Sequence, residues 1–91
     1  MDDFEWDSEK SERNALLRGL PFEIVPAIFD SPVLEWCDVR QDYREVRVNA
    51  LGHIGARVFF VTYTERGQRC RIISFRKANR RETDAYRQVY S

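Results

Sequence analysis

Thirteen of the fifteen basic side chains in this 91-residue chain are arginine, and only Lys10 and Lys77 are lysine. A guanidinium group presents a planar fork of donors that matches phosphate and carboxylate, so the chemistry within reach is binding of phosphate or of an acidic partner. Four cations, Arg76, Lys77, Arg80 and Arg81, gather where a strand is expected to run into a helix opened by Asn79. The dipole of that helix also favours anions at its start. This corner is the best phosphate site in the residue order. A solvated helix start, with guanidinium groups meeting Glu82 or Asp84, accounts for the same residues. On the strand itself, strict alternation sets Arg69, Arg71, Ile73 and Phe75 on one face and Cys70, Ile72, Ser74 and Arg76 on the other.

Other chemistries have less to stand on. The single histidine, His53, falls in a predicted turn between Gly52 and Gly55 and carries no mechanism. Cys37 and Cys70 lie far apart and outside any paired Cys/His spacing, so neither a disulfide framework nor a zinc site is expected, and both read as small core residues. The four glycines stand singly at turns, without a phosphate-cradling loop. No metal and no cofactor is expected.

The elements that must position these residues follow from composition and period. Hydrophobic residues make up 43% and charged residues 33%, with a formal net charge of zero, which excludes a disordered chain. The longest apolar run, Val58-Phe59-Phe60-Val61, is too short to cross a bilayer. The acidic start, Met1-Asp2-Asp3-Phe4-Glu5, has no secretion signal, so a cytoplasmic location is expected. The zero net charge conceals an asymmetry: residues 1–45 hold 12 acidic and 5 basic side chains, and residues 46–91 hold 10 basic and 3 acidic. Surfaces of both signs predict salt-sensitive association with a partner.

Phe4-Glu5-Trp6 reads as a short strand, and Asp7 caps a helix through about Arg18 that Gly19 closes, its thin buried stripe built on Leu16 and Leu17. A second helical segment is expected from Phe22 to Phe29, shortened or kinked by Pro26. The period then changes to two. Strands are expected at Val33–Cys37, Glu45–Leu51, Arg57–Thr64 and Arg69–Phe75, with turns at Asp38–Tyr43, Gly52–Gly55 and Glu65–Gln68. Asn79-Arg80-Arg81-Glu82 has the form of a capping box, and Tyr86, Val89 and Tyr90 share one side of the last helix. The expected fold is a single α+β domain over residues 1–91, with a four- to five-stranded antiparallel sheet, two N-terminal helices and one C-terminal helix.

Trp6-Asp7 with Lys10, Asn14 and Gly19, then Phe22, Phe29-Asp30 and Pro32, and the block from Tyr63 to Tyr86 resemble the BrnT family of ribonuclease toxins from type II toxin-antitoxin modules. The resemblance implies a RelE-like domain, metal-independent RNA cleavage that inhibits growth, and neutralisation by a BrnA-type antitoxin. It implies contact with operator DNA only through the antitoxin complex, and a homodimer within that complex is an open arrangement. By position, Arg76, Glu45, Lys10 and Arg71 match the catalytic group. Arg18, Arg66, Lys77, Arg80, Arg81 and Tyr86 are candidates for contact with RNA phosphate. Structural alternatives stand beside these roles: a solvated helix face for Lys10, pairing with Arg47 or Arg57 for Glu45, and core packing for Tyr86. The family's Lys-His-Gly is here Leu17-Arg18-Gly19, so its imidazole is missing, and Val46 stands where a second glutamate often follows Glu45. Arginine is too weak an acid to act as a general base at ordinary pH. A catalytically weak or inactive relative that binds antitoxin or RNA is therefore the alternative to an active toxin.

Overall fold

Asp7 accepts hydrogen bonds from the backbone N–H of Glu9 (2.9 Å) and Lys10 (3.3 Å) and so opens α1, Ser8–Arg18. Gly19, at φ 70°, closes it with a bond from its N–H to the Ala15 carbonyl. The computed structural model describes residues 3–40 and 44–90. Contrary to expectation, Leu16 and Leu17 do not bury this helix: both face solvent. Polar side chains attach it instead. Ser11 Oγ donates to Glu23 (2.8 Å) and accepts from the Phe22 N–H (2.9 Å), and Asn14 Nδ2 donates to the carbonyls of Leu20 (2.7 Å) and Phe75 (2.9 Å).

The second helical segment divides where Pro26 lacks an amide donor. A 3₁₀ turn, Phe22–Ile24, is followed by one turn of α-helix, α2, Val25–Ile28, with the proline in its first positions. Five strands follow or flank these helices: β1 (Phe4–Glu5), β2 (Leu34–Cys37), β3 (Arg47–Ile54), β4 (Arg57–Arg66) and β5 (Arg69–Lys77), before α3, Arg80–Val89. Their order in the sheet is β1-β5-β4-β3-β2. The expected meander is present over β2 to β5, but β1 runs parallel to β5, so the sheet is mixed and not antiparallel throughout. A two-residue strand carries no sequence signal for its pairing partner. Likewise the expected turn at Gly52-His53-Ile54 is the end of β3, and the chain reverses at Gly55, φ 58°. The turn expected at Asp38–Tyr43 lies partly outside the described residues.

Each face of the sheet has its own apolar cluster. On one, Phe22, Val25 and Ile28 pack on Ala50, Phe59, Val61, Tyr63, Cys70, Ile72 and Phe75. Gly52 lets α2 approach, because a Cβ there would stand 2.6 Å from Ile28 Cγ2. On the other face α3 lays Tyr86 over Leu51, Val58 and Phe60. Cys70 is buried as expected, whereas Cys37 is exposed on β2, correcting the reading of both cysteines as core.

One irregularity decides which side chains share a face. Thr62 is paired with Ser74 and Tyr63 with Ile72, so Ile73 is an extra residue without a partner on β4. This β-bulge resets the alternation. Cys70, Ile72 and Phe75 all reach the α1–α2 side, and Arg71, Ser74 and Arg76 all reach the α3 side. The strict alternation expected for Arg69–Phe75 is thereby corrected: five residues apart, Arg71 and Arg76 would sit on opposite faces of a regular strand.

Candidate nucleic-acid interface

The α3 face of the sheet is apolar only under α3 itself. Further along the strands its cross-strand rows are polar and charged. One row runs Glu5, Arg71, Thr64, Arg47 across β1, β5, β4 and β3, and the next runs Ser74, Thr62, Asn49, Trp36 across β5 to β2. The third places Arg76 opposite Phe60, Leu51 and Leu34. Beneath the longer side chains, Thr62 Oγ1 donates to Asn49 Oδ1 (2.8 Å) and Thr64 Oγ1 to the Val46 carbonyl (2.7 Å). Asn49, Thr62 and Thr64 are buried and form a hydrogen-bonded floor.

The guanidinium groups on this face are held by carboxylates. Arg71 Nη1 donates to Glu5 (2.7 Å). Arg76 makes a two-pronged pair with Glu82 at 2.8 and 2.9 Å while lying 4.2 Å from the centre of the Phe60 ring. Arg47 Nε lies 3.3 Å from Glu45, and Arg66 lies 3.9 Å from the same carboxylate. The bonds from Arg76, assisted by the Asn79 N–H and opposed by partial burial, hold the Glu82 carboxyl below the usual carboxylate range. Glu82 also completes the capping box with Asn79, so α3 carries its own anion at its N-terminus.

This arrangement corrects the expected corner site. Arg76, Lys77, Arg80 and Arg81 do not converge: Arg76 is engaged by Glu82, Lys77 lies opposite Phe59 on the other side of the sheet, and Arg80 and Arg81 line the outer surface of α3 with Asp84, Ala85 and Gln88. Of the alternatives open in the sequence, Glu82 is the partner of Arg76, and Arg47 is the closer partner of Glu45. Tyr86 is fully buried and donates to the Pro32 carbonyl (2.7 Å), so contact with RNA is corrected to a core role. His53 accepts its place in β3, with its N–H on Ser31 Oγ (3.0 Å).

The remaining expected residues meet at a cleft of about 230 Å³ between α1 and β5, lined by Lys10, Arg13, Asn14, Leu17, Arg18, Phe22, Ile73 and Ser74. Three cations line it and no carboxylate does. Ser74 lines this cleft and also begins the polar row of the sheet, so the cleft adjoins the end of that row. Residue order missed Arg13, Glu5 and the Asn49–Thr62 floor. A signal for the bulge was present in the apolar spacing Cys70, Ile72, Phe75, two residues and then three. Away from this region, burial, followed by Glu65 and Glu35, pushes the Cys70 thiol up to about 12, and the Tyr63 hydroxyl, bonded to Glu35 at 2.5 Å, is also raised, chiefly by burial. Among the described residues no group of three or more His, Cys, Asp or Glu side chains could hold a metal ion, and no helix is long and apolar enough to cross a membrane.

No curated protein matches the chain. A family model described as ribonuclease toxin, BrnT, of type II toxin-antitoxin system matches residues 6–82, a span that takes in Arg71, Arg76, the bulge between them and the start of α3. The chain therefore belongs to the BrnT family of type II toxin-antitoxin ribonuclease toxins, a family whose members act with an antitoxin partner.

Proposed function

We propose that this chain is an endoribonuclease toxin that cleaves RNA without a metal ion, inhibits growth and is neutralised by a BrnA-type antitoxin. The observation that carries this reading is the bulge at Ile73, which brings Arg71 and Arg76 to one face beside the Ser74–Thr62–Asn49 row. RNA cleavage of this kind forms a bond from the 2′-oxygen to the adjacent phosphorus and breaks the bond to the 5′-oxygen, leaving a 2′,3′-cyclic phosphate and a 5′-hydroxyl. Charge accumulates on the phosphoryl oxygens in the transition state, and fixed guanidinium groups stabilise it there. Arg71 and Arg76 take that role, exchanging Glu5 and Glu82 for phosphate. Glu45, beside Arg47 at the end of the same surface, accepts the 2′-hydroxyl proton, and Lys10 supplies a proton toward the 5′-oxygen. Arg18 and Arg66 bind flanking phosphates. The reading places the protein in the cytoplasm, where its RNA and its antitoxin are found, with operator DNA met only through the antitoxin.

The test is incubation of the purified chain with end-labelled RNA in EDTA. Cleavage to cyclic-phosphate ends is expected, with loss in Arg71→Ala and Arg76→Ala and no loss in Arg87→Ala, whose side chain bonds to the Ala56 carbonyl in the turn between β3 and β4. RNA left intact under all conditions overturns the enzymatic reading. It would favour a non-catalytic relative that keeps the antitoxin- or RNA-binding surface. That second reading draws on a specific observation: Arg71 and Arg76 are already paired with carboxylates, and Leu17-Arg18 provides no imidazole.

A further inference from the structure

Trp36 is the largest side chain exposed on the α3 face, with 41% of its surface open. Its indole does not wobble over empty space. Phe60 packs edge-on beneath it, with ring centres 5.8 Å apart at 68°, and Arg76 covers the other part of the same Phe60 ring. The row to which it belongs, Ser74-Thr62-Asn49-Trp36, runs across four strands, roughly 14 Å at ordinary strand spacing. At its Ser74 end lies the cleft lined by Lys10, Arg13 and Arg18. The cationic cleft and the exposed ring thus stand at the two ends of one cross-strand row, over whose buried middle, Thr62 and Asn49, a strand would pass.

We propose that Trp36 is a base-stacking platform for single-stranded RNA that crosses the sheet from the α1 cleft, its backbone held by Lys10, Arg13 and Arg18. This rests on the ribonuclease reading and names the substrate class: an unpaired strand of a few nucleotides. Single-stranded nucleic acid is bound where a positive groove follows the backbone and an aromatic face takes a base, because every base has a π surface and an unpaired one is free to leave its stack. An A-form duplex offers no splayed base to such a ring. The three cations of the cleft at the other end of the row, with no carboxylate among its lining residues, favour a polyanionic strand as the occupant.

The experiment titrates the full chain with an uncleavable 2′-O-methyl oligoribonucleotide, single-stranded or as a duplex, while following tryptophan emission. Quenching is expected with the single strand and is absent in Trp36→Phe, whose one remaining indole is Trp6. Trp36→Ala should weaken single-strand binding about 5- to 150-fold, and Arg13→Ala should weaken it with a reduced salt dependence. An oligonucleotide carrying an abasic position should lose affinity for the wild type and not for Trp36→Ala. If the wild type binds, Arg71→Ala weakens binding and Trp36→Ala does not, the platform is overturned while the ribonuclease reading stands. Absence of RNA binding by the wild type overturns both. Should Trp36→Ala lose affinity for the antitoxin and not for RNA, the ring is a protein contact and the inference fails. Trp36→Phe retains a packed ring on Phe60, so the emission test holds even if Trp36→Ala unfolds.

Discussion

Glu82→Gln is the most informative single change, because one carboxylate joins the strand to the helix and restrains the central guanidinium. Its oxygens accept from Arg76 at 2.8 and 2.9 Å and from the Asn79 N–H at 2.9 Å. The Glu82 side chain is 18% exposed and that of Arg76 34%, so the pair lies between a surface ion pair and a buried one. A surface pair contributes about 0.2–1 kcal/mol and a charge-assisted bond about 1.5–3 kcal/mol. Glutamine keeps an oxygen for the Asn79 N–H, so a loss of about 1–2 kcal/mol is expected, or roughly 5–15 °C in Tm for a domain of this size. The loss has a pH signature. The folded-state pKa of Glu82 is depressed, so its stabilisation is complete above the unfolded value near ~4.3 and disappears as pH falls through the lower folded value. Urea midpoints of wild type and variant should therefore differ by a constant amount from pH 7 to about pH 5 and converge at lower pH. Other carboxylates titrate in both proteins and cancel in the difference. Equal midpoints at pH 7, or a gap that persists undiminished in acid, would refute the reasoning. In the same variant the Arg76 fork is released for phosphate, so uncleavable RNA should bind more tightly.

Tyr86→Phe should cost about 0.5–1.5 kcal/mol, by loss of the bond to the Pro32 carbonyl, and leave RNA cleavage unchanged. A large loss of activity in a folded variant would return Tyr86 to the substrate site. Gly52→Ala forces a methyl against Ile28 and Ser31 and should destabilise by about 1–3 kcal/mol, measured as a lowered urea midpoint. Deleting Ile73 removes the unpaired residue and keeps Cys70, Ile72 and Phe75 on one side, so cooperative unfolding should survive; inserting an alanine after Ile73 turns Phe75 outward and should abolish it. In native protein at pH 8 a thiol reagent should modify Cys37 alone, since Cys70 is buried with its pKa near 12, and urea should expose the second thiol. Rapid labelling of both in the folded state would contradict that burial.

Local signals written within a few residues were decisive wherever structure is local. Asp7 and Gly19 bound the first helix, Pro26 divides the second, the β-branched run and Gly67 make the β4–β5 hairpin, and Asn79 with Glu82 caps the last helix. The block from Tyr63 to Tyr86 likewise carried the family resemblance, because a motif depends only on residue identity and order. Which cations share a surface depends on more than order. Arg71 and Arg76 became neighbours on one face only because pairing with β4 leaves Ile73 over, and Arg76 and Lys77 became separated because adjacent strand residues point opposite ways. The parallel pairing of Phe4-Glu5 with β5 supplied the Glu5 partner from 66 residues away, a contact that no local pattern encodes. Helix caps and turns are settled by bonds between near neighbours, whereas a binding surface is settled by strand register, and register is a property of the assembled sheet.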